Sequence, residues 1–130
     1  MQKVLLVDDS LSYRIRLKEG LMDAGYQVIE AENGRDGLGI LRDDQSIAFV
    51  VCDLNMPVLN GFGMLREGND QGVLRDLPVI MLTTEGSREL KEEGKKLGVK
   101  AWISKMHTPK DAQLVAMAID HILGKNRKAS

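Results

Sequence analysis

Asp8 with Asp9, Asp53, Thr83 and Lys105 each stand where an apolar run stops. Val4 to Val7 meets the acid pair, Phe49 to Cys52 meets Asp53, Val79 to Leu82 meets Thr83, and Ala101 to Ser104 meets Lys105. If the runs are parallel strands, their carboxyl ends gather at one edge of a sheet, where open α/β folds bind ligands. Carboxylates held together raise one another's pKa unless a cation sits among them. Mg²⁺ meets that need: it takes oxygen ligands, is held by one or two carboxylates and keeps water and phosphate in its shell. That suits Asp9 and Asp53 directly and Asp8 through water. A lysine adds little to holding a metal, but with the Thr83 hydroxyl it can meet a dianionic phosphoryl group. The set therefore reads as a phosphoryl site with one carboxylate free to act as nucleophile. Asp53 is that carboxylate, because it ends what should be a central strand. The turn from Asp53 to Pro57 could then aim a backbone carbonyl, that of Asn55, at the metal. A single acid after a strand is often no more than a helix cap, but caps do not account for all five positions together.

The stretches between these runs have helical period. Tyr13, Leu17, Leu21 and Ala24 recur at three or four and end at Gly25, a glycine stop. Val28 to Ala31 then reads as a strand. Leu38 with Leu41, Phe62 with Leu65, and Leu90 with Leu97 mark three further helices, the last almost wholly polar. The fifth helix has a capping-box start, with Thr108 as cap, Pro109 at the first helical position and Asp111 three residues after the cap. Its apolar face is expected at Leu114, Ala118 and Ile122. Strand then helix, five times over, implies a parallel sheet with right-handed crossovers and helices on both faces. Glycines at 20, 37, 39, 63, 68 and 94 fall in or near helical stretches, each costing up to ~1 kcal/mol relative to alanine, so soft helices are expected, the second and fourth especially.

A chain of 130 residues has room for one core. A formal net charge of −1 and a charged share of 28% point neither to disorder nor to nucleic-acid binding. The charge is uneven, at −6 over 1–87 and +5 over 88–130. Cys52, the lone cysteine, lies in an apolar run and excludes an internal disulfide, which fits a reducing compartment. No stretch reads as a signal peptide or membrane span, so a cytoplasmic protein without membrane insertion is expected. His107 and His121 lack metal-ligand spacing and read as surface residues. The seven methionines read as core filler. No Gly-rich Gly-Lys-Ser/Thr loop suggests nucleotide hydrolysis.

Val7-Asp8-Asp9-Ser10, Asp53-Leu54-Asn55-Met56-Pro57, Asn60-Gly61, Leu82-Thr83-Thr84-Glu85 and Ile103-Ser104-Lys105 together resemble the receiver domain of two-component response regulators. The likeness spans the chain, with 1–124 as a single receiver domain and 125–130 as a short polar tail. It implies a doubly wound (βα)5 flavodoxin-like fold with the family's strand order 2-1-3-4-5. It also implies that Asp53 accepts a phosphoryl group from a phosphohistidine on a sensor histidine kinase or a histidine phosphotransfer protein. Asp8, Asp9, Asp53 and the Asn55 carbonyl would then organise Mg²⁺, and Thr83 and Lys105 would hold the acyl phosphate. In the family the threonine moves toward the phosphoryl group and an aromatic residue on the fifth strand swings inward, remodelling the face of the fourth helix, fifth strand and fifth helix. Trp102 holds that aromatic position. The basic excess lies on the same face and suggests an acidic protein target.

The fourth-helix charges, Lys100-Ala101-Trp102, Asn55 and Glu85 look most like stand-alone chemotaxis regulators, which act as monomers through protein contact. Stand-alone phosphorelay carriers share this architecture. The family usually has proline directly after the lysine, whereas here Met106 follows Lys105. A trans bond, or a strained cis one, is expected there, and either could displace Lys105. Two other classes stay open. A phosphatase of the haloacid dehalogenase type wants an Asp-x-Asp pattern after the first strand, which Asp8-Asp9-Ser10 does not supply. A pseudo-receiver would bind partners without being phosphorylated.

Overall fold

The protein is described by a computed structural model covering residues 1–129, with side chains described through residue 124. Five strands, β1 (Lys3–Val7), β2 (Gln27–Ala31), β3 (Phe49–Cys52), β4 (Val79–Thr83) and β5 (Val99–Ser104), alternate with five helices. The helices are α1 (Leu11–Asp23), α2 (Gly34–Asp43), α3 (Gly61–Gln71), α4 (Arg88–Lys96) and α5 (Lys110–Ala129). The strands form one parallel sheet in the order β2-β1-β3-β4-β5, the expected doubly wound fold. The division proposed at 124/125 falls on residues 125–130, outside the side chains described.

Alternation along each strand divides the core between two faces. Leu5, Val7, Val50, Cys52, Val79 and Met81 face α2 and α3, while Val4, Leu6, Phe49, Val51, Ile80 and Leu82 face α1 and α5. The three central strands are buried on both faces, as parallel sheets require, and so read in sequence as unbroken apolar runs. In β5 the pairing with β4 slips between Val79 and Ile80: Val99 pairs with Val79 and Ala101 with Ile80, so Lys100 is skipped and stands exposed. Beyond this bulge Ala101 and Ile103 turn to one core face and Trp102 to the other.

Polar side chains start four of the helices. Ser10, Asn33, Asn60 and Ser87 each accept from a backbone N–H of the first turn. Gly25, just past α1, has φ +98°, a left-handed stop that a residue with a Cβ rarely adopts. Five of the six helix-associated glycines lie where a Cβ would come within 3 Å of a packed neighbour, for example 2.4 Å from Ala112 Cβ at Gly20; only Gly39 has open space. They let elements approach closely.

Two expectations need correcting. The inward stripe of α5 is Ala112, Val115 and Ile119, whereas Leu114 is exposed and Ala118 and Ile122 are half-buried. At about 100° per residue Leu114 stands about 100° or more around the helix from Val115, Ile119 and Ala112 and so faces out, while Ala118 and Ile122 lie nearer that stripe and pack against the core from its rim. Of the methionines, only Met64 and Met81 are buried; Met1, Met22, Met106 and Met117 are exposed and Met56 is half-buried. The exposed ones sit at the terminus, in a loop or on outer helix faces, where the chain has no second layer to cover them.

Candidate functional site

Register brings the chemistry together. Val7 pairs with Cys52 and Thr83 with Ser104, so Asp8 and Asp53 leave the sheet side by side, and Lys105 emerges next to Thr83. Backbone bonds hold this edge: Asp53 N donates to Val7 O at 3.0 Å and Lys105 N to Thr83 O at 2.9 Å. Gly61 at the start of α3 packs so closely on this edge that a Cβ there would stand 2.4 Å from the Asp53 carbonyl oxygen.

The Lys105 ammonium bridges two carboxylates, 2.6 Å from Asp8 Oδ2 and 2.7 Å from Asp53 Oδ2. Asp8 and Asp53 are buried and Asp9 is exposed, yet one carboxylate oxygen from each lies within 4.8 Å of the other two. Three carboxylates converging from one side, balanced by a single ammonium, form the oxygen donor set that a hard divalent cation takes. Mg²⁺ therefore fits the residues present.

Burial, the largest influence, raises the Asp8 carboxyl above its ordinary range; bonds from Lys105 and the Ser10 N–H offset this only in part. For Lys105, burial acts downward but hydrogen bonds to Asp53 and Asp8 outweigh it, so the ammonium is held above its ordinary value and is charged at neutral pH. The Cys52 thiol, fully buried beside these acids, is pushed up to about 12 and is inert as a nucleophile.

Thr83 is wholly buried, and its Oγ1 accepts from the Glu85 N–H at 3.3 Å. Asn55, two residues past Asp53, is exposed and donates from its side chain to Glu85 Oε1 at 3.1 Å. Glu85 also accepts, at its carbonyl oxygen, the Trp102 indole N–H at 2.9 Å. The indole is half-buried, packs 6.2 Å from Phe62 between ring centroids, and lies on Gly94 of α4. All peptide bonds among the described residues are trans, the one before Met106 included, and Lys105 is not displaced by it.

Three residues at the site carry roles the sequence did not suggest. Arg14 is buried and its guanidinium donates to the Asp8 carbonyl at 2.6 Å while pairing with Glu30 at 3.1 Å, so it pins the acid loop to β2. Tyr13 reads in sequence as a core position, but its ring lies 4.4 Å from the Lys105 ammonium and its hydroxyl donates to Asp111. Asp111 was legible as a helix-capping acid. What was not legible is how far it reaches back, to the N–H groups of Met106 and His107.

Among the described residues no helix is long and apolar enough to cross a membrane. The sequence profile of the family described as "Response regulator receiver domain" matches residues 4–118. The chain is 32% identical over 123 residues to a chemotaxis protein CheY homolog of Campylobacter jejuni, covering 94% of this chain and 92% of that protein. It is 33% identical over 123 residues to protein PilH of Pseudomonas aeruginosa, covering 95% and 98%. Among solved structures, chemotaxis response regulator CheY4 of Vibrio cholerae superposes with a TM-score of 0.81 at 38% identity, over 90% of this chain and 97% of that one.

Proposed function

The chain belongs to the response regulator receiver domain family, and from that premise we propose that it is a phosphorylation-switched signalling module whose phosphoacceptor is Asp53. The observation that carries this is the Lys105 ammonium, within 2.7 Å of both Asp8 and Asp53 at the carboxyl edge of the sheet. In the reaction an Asp53 carboxylate oxygen forms a bond to phosphorus as the N–P bond of a phosphohistidine breaks. The electron pair of that bond returns to the imidazole. Mg²⁺, when bound by Asp8, Asp9, Asp53 and the Asn55 carbonyl, supplies charge neutralisation for the phosphoryl oxygens. Lys105 holds one of those oxygens, and the Thr83 hydroxyl donates to another. Water attack on phosphorus later breaks the new O–P bond and releases phosphate, so the protein's own chemistry is confined to gaining and losing this group.

The switch runs through Glu85. When the Thr83 hydroxyl turns to the phosphoryl group, the Glu85 N–H loses its acceptor, and the Glu85 carbonyl that holds Trp102 moves with the same segment. A shift from 1:99 to 99:1 needs about 5.5 kcal/mol of differential stabilisation, which the new contacts of Thr83 and Lys105 must supply. The readout is the face of α4, β5 and α5. There a groove of about 480 Å³ is lined by Arg88, Lys91, Glu92, Lys95, Lys100 and Trp102; Glu92 pairs with Arg88, and the three lysines leave a basic setting for an acidic segment of a target protein. The donor is a sensor histidine kinase or a histidine phosphotransfer protein. Likeness to chemotaxis regulators over nearly the whole chain favours a chemotaxis-type output.

The test is phosphorylation by acetyl phosphate followed by mass spectrometry, and titration with beryllofluoride followed by Trp102 fluorescence. One Mg²⁺-dependent phosphoryl group, absent from Asp53→Asn, is expected. Lys105→Ala should still accept some label but no longer change Trp102. A labelled Asp53→Asn protein refutes the assignment, and absence of any label in the unaltered protein points to a pseudo-receiver.

A further inference from the structure

Lys105 can hold a phosphoryl oxygen only if the chain leaving β5 is fixed, and the segment just after it has no regular structure before α5 begins at Lys110. A single buried carboxylate gathers that segment. Asp111, 1% exposed, accepts from the Met106 N–H at 3.0 Å through Oδ1 and from the His107 N–H at 3.1 Å through Oδ2. It accepts a third bond at Oδ2 from the Tyr13 hydroxyl at 2.5 Å. His107 has φ +59°, a left-handed conformation uncommon away from glycine, which such bonds can hold in place. Tyr13 then closes the arrangement from the other side, because its ring face lies 4.4 Å from the Lys105 ammonium. The His107 ring packs edge-on against the same tyrosine at 5.3 Å.

The two contacts of Tyr13 thus bear on one object from both ends: its hydroxyl grips the carboxylate that holds the backbone after Lys105, and its ring meets the tip of the Lys105 side chain. A proline at position 106 would have no N–H to offer; Met106 has one, and Asp111 takes it. We infer that Asp111, braced by Tyr13, is a positioning residue for Lys105, setting the ammonium between Asp8 and Asp53 without itself touching the reacting atoms. This rests on the reading of Lys105 as the phosphoryl-holding cation.

The test uses the full chain with Asp111→Asn and Tyr13→Phe. Asparagine keeps the shape but turns one acceptor oxygen into a donor facing backbone N–H groups; phenylalanine keeps the ring and removes only the hydroxyl. Amide exchange at Met106 and His107 should quicken about tenfold in Asp111→Asn, the effect of losing a hydrogen bond to a charged acceptor. In the metal-free protein the Lys105 ε-methylene NMR signal should shift in both variants. With Mg²⁺ present, beryllofluoride affinity should fall about five- to tenfold in Asp111→Asn and less in Tyr13→Phe. Mg²⁺ affinity should stay within about twofold, because none of its proposed ligands is altered; a merely structural loss would lower both together. An unmoved Lys105 signal with unchanged beryllofluoride affinity overturns the inference, and Tyr13→Phe alone decides it if Asp111→Asn does not fold. If the unaltered protein takes up no beryllofluoride, the functional reading fails, and the Lys105 signal still decides whether Asp111 positions the side chain.

Discussion

Replacing Gly94 with alanine puts a methyl group where the Trp102 ring lies. Its Cβ would stand 2.8 Å from Cζ3 and 3.2 Å from Cε3 of the indole, whereas carbon atoms rest at about 3.5 to 4.0 Å. The ring would have to retreat by roughly 1 Å. It is not free to do so, being held by its N–H at 2.9 Å from the Glu85 carbonyl and by Phe62. Overpacking of this kind costs about 1 to 3 kcal/mol, and a lost neutral hydrogen bond adds about 1 kcal/mol. Against this, alanine in a helix interior is worth about 1 kcal/mol over glycine. The net expectation is a destabilisation of about 1 to 3 kcal/mol, opposite in sign to what α4 alone would give. Urea unfolding followed by circular dichroism measures it, on Gly94→Ala in the parent and in Trp102→Ala. In the second background the clash is gone, and the substitution should stabilise by about 1 kcal/mol. Gly39→Ala, with nothing nearer than Arg42 at 3.9 Å, is the control in open space. Equal stabilisation in both backgrounds would refute the reasoning and remove Gly94 as the seat of the indole. Gly94→Ala should also alter the beryllofluoride-induced change in Trp102 fluorescence, because the indole would start from a different place.

Asp8 carries a raised folded-state pKa, caused first by burial and opposed in part by Lys105, so its protonated form is the one the fold favours. That contribution is complete below the unfolded value of 3.8 and is lost as pH rises through the higher folded value. Asp8→Asn should therefore raise the urea midpoint of the metal-free protein at about pH 7, with an advantage that shrinks as pH falls toward about 4; a loss of stability at neutral pH would contradict this. Val58, 79% exposed, has φ +69°, where a β-branched side chain costs about 1 to 2 kcal/mol. Val58→Asn should raise the unfolding free energy by about 1 kcal/mol, and an unchanged urea midpoint would argue against strain in this loop. Gly61→Ala should lose cooperative folding or at least about 1 to 3 kcal/mol, since its Cβ would meet a backbone oxygen that cannot turn aside, and a neutral thermal melt would show that the α3 start can move away from Asp53.

The strand ends and the acidic site were legible in the sequence because their signals are local. An apolar run buried on both faces stops where its strand leaves the sheet, so Asp8, Asp53 and Thr83 announce themselves by interrupting hydrophobicity, and Lys105 does the same after the half-buried β5. Caps are local too, and Thr108 with Asp111 can be read within four residues. The tertiary structure decided what depends on distant partners. The Tyr13 hydroxyl meets Asp111 across 98 positions of sequence, and no periodicity within α1 distinguishes that tyrosine from an ordinary core residue. Gly94 looks like a weakness in a polar helix until β5 lays the Trp102 indole against it. The inward face of α5 depends on which side meets the sheet, and a helix with apolar residues on several sides leaves that choice to packing. Met106 marks the boundary between the two kinds of knowledge. The sequence shows an N–H where the family usually has none, but only the fold brings the buried carboxylate that makes use of it.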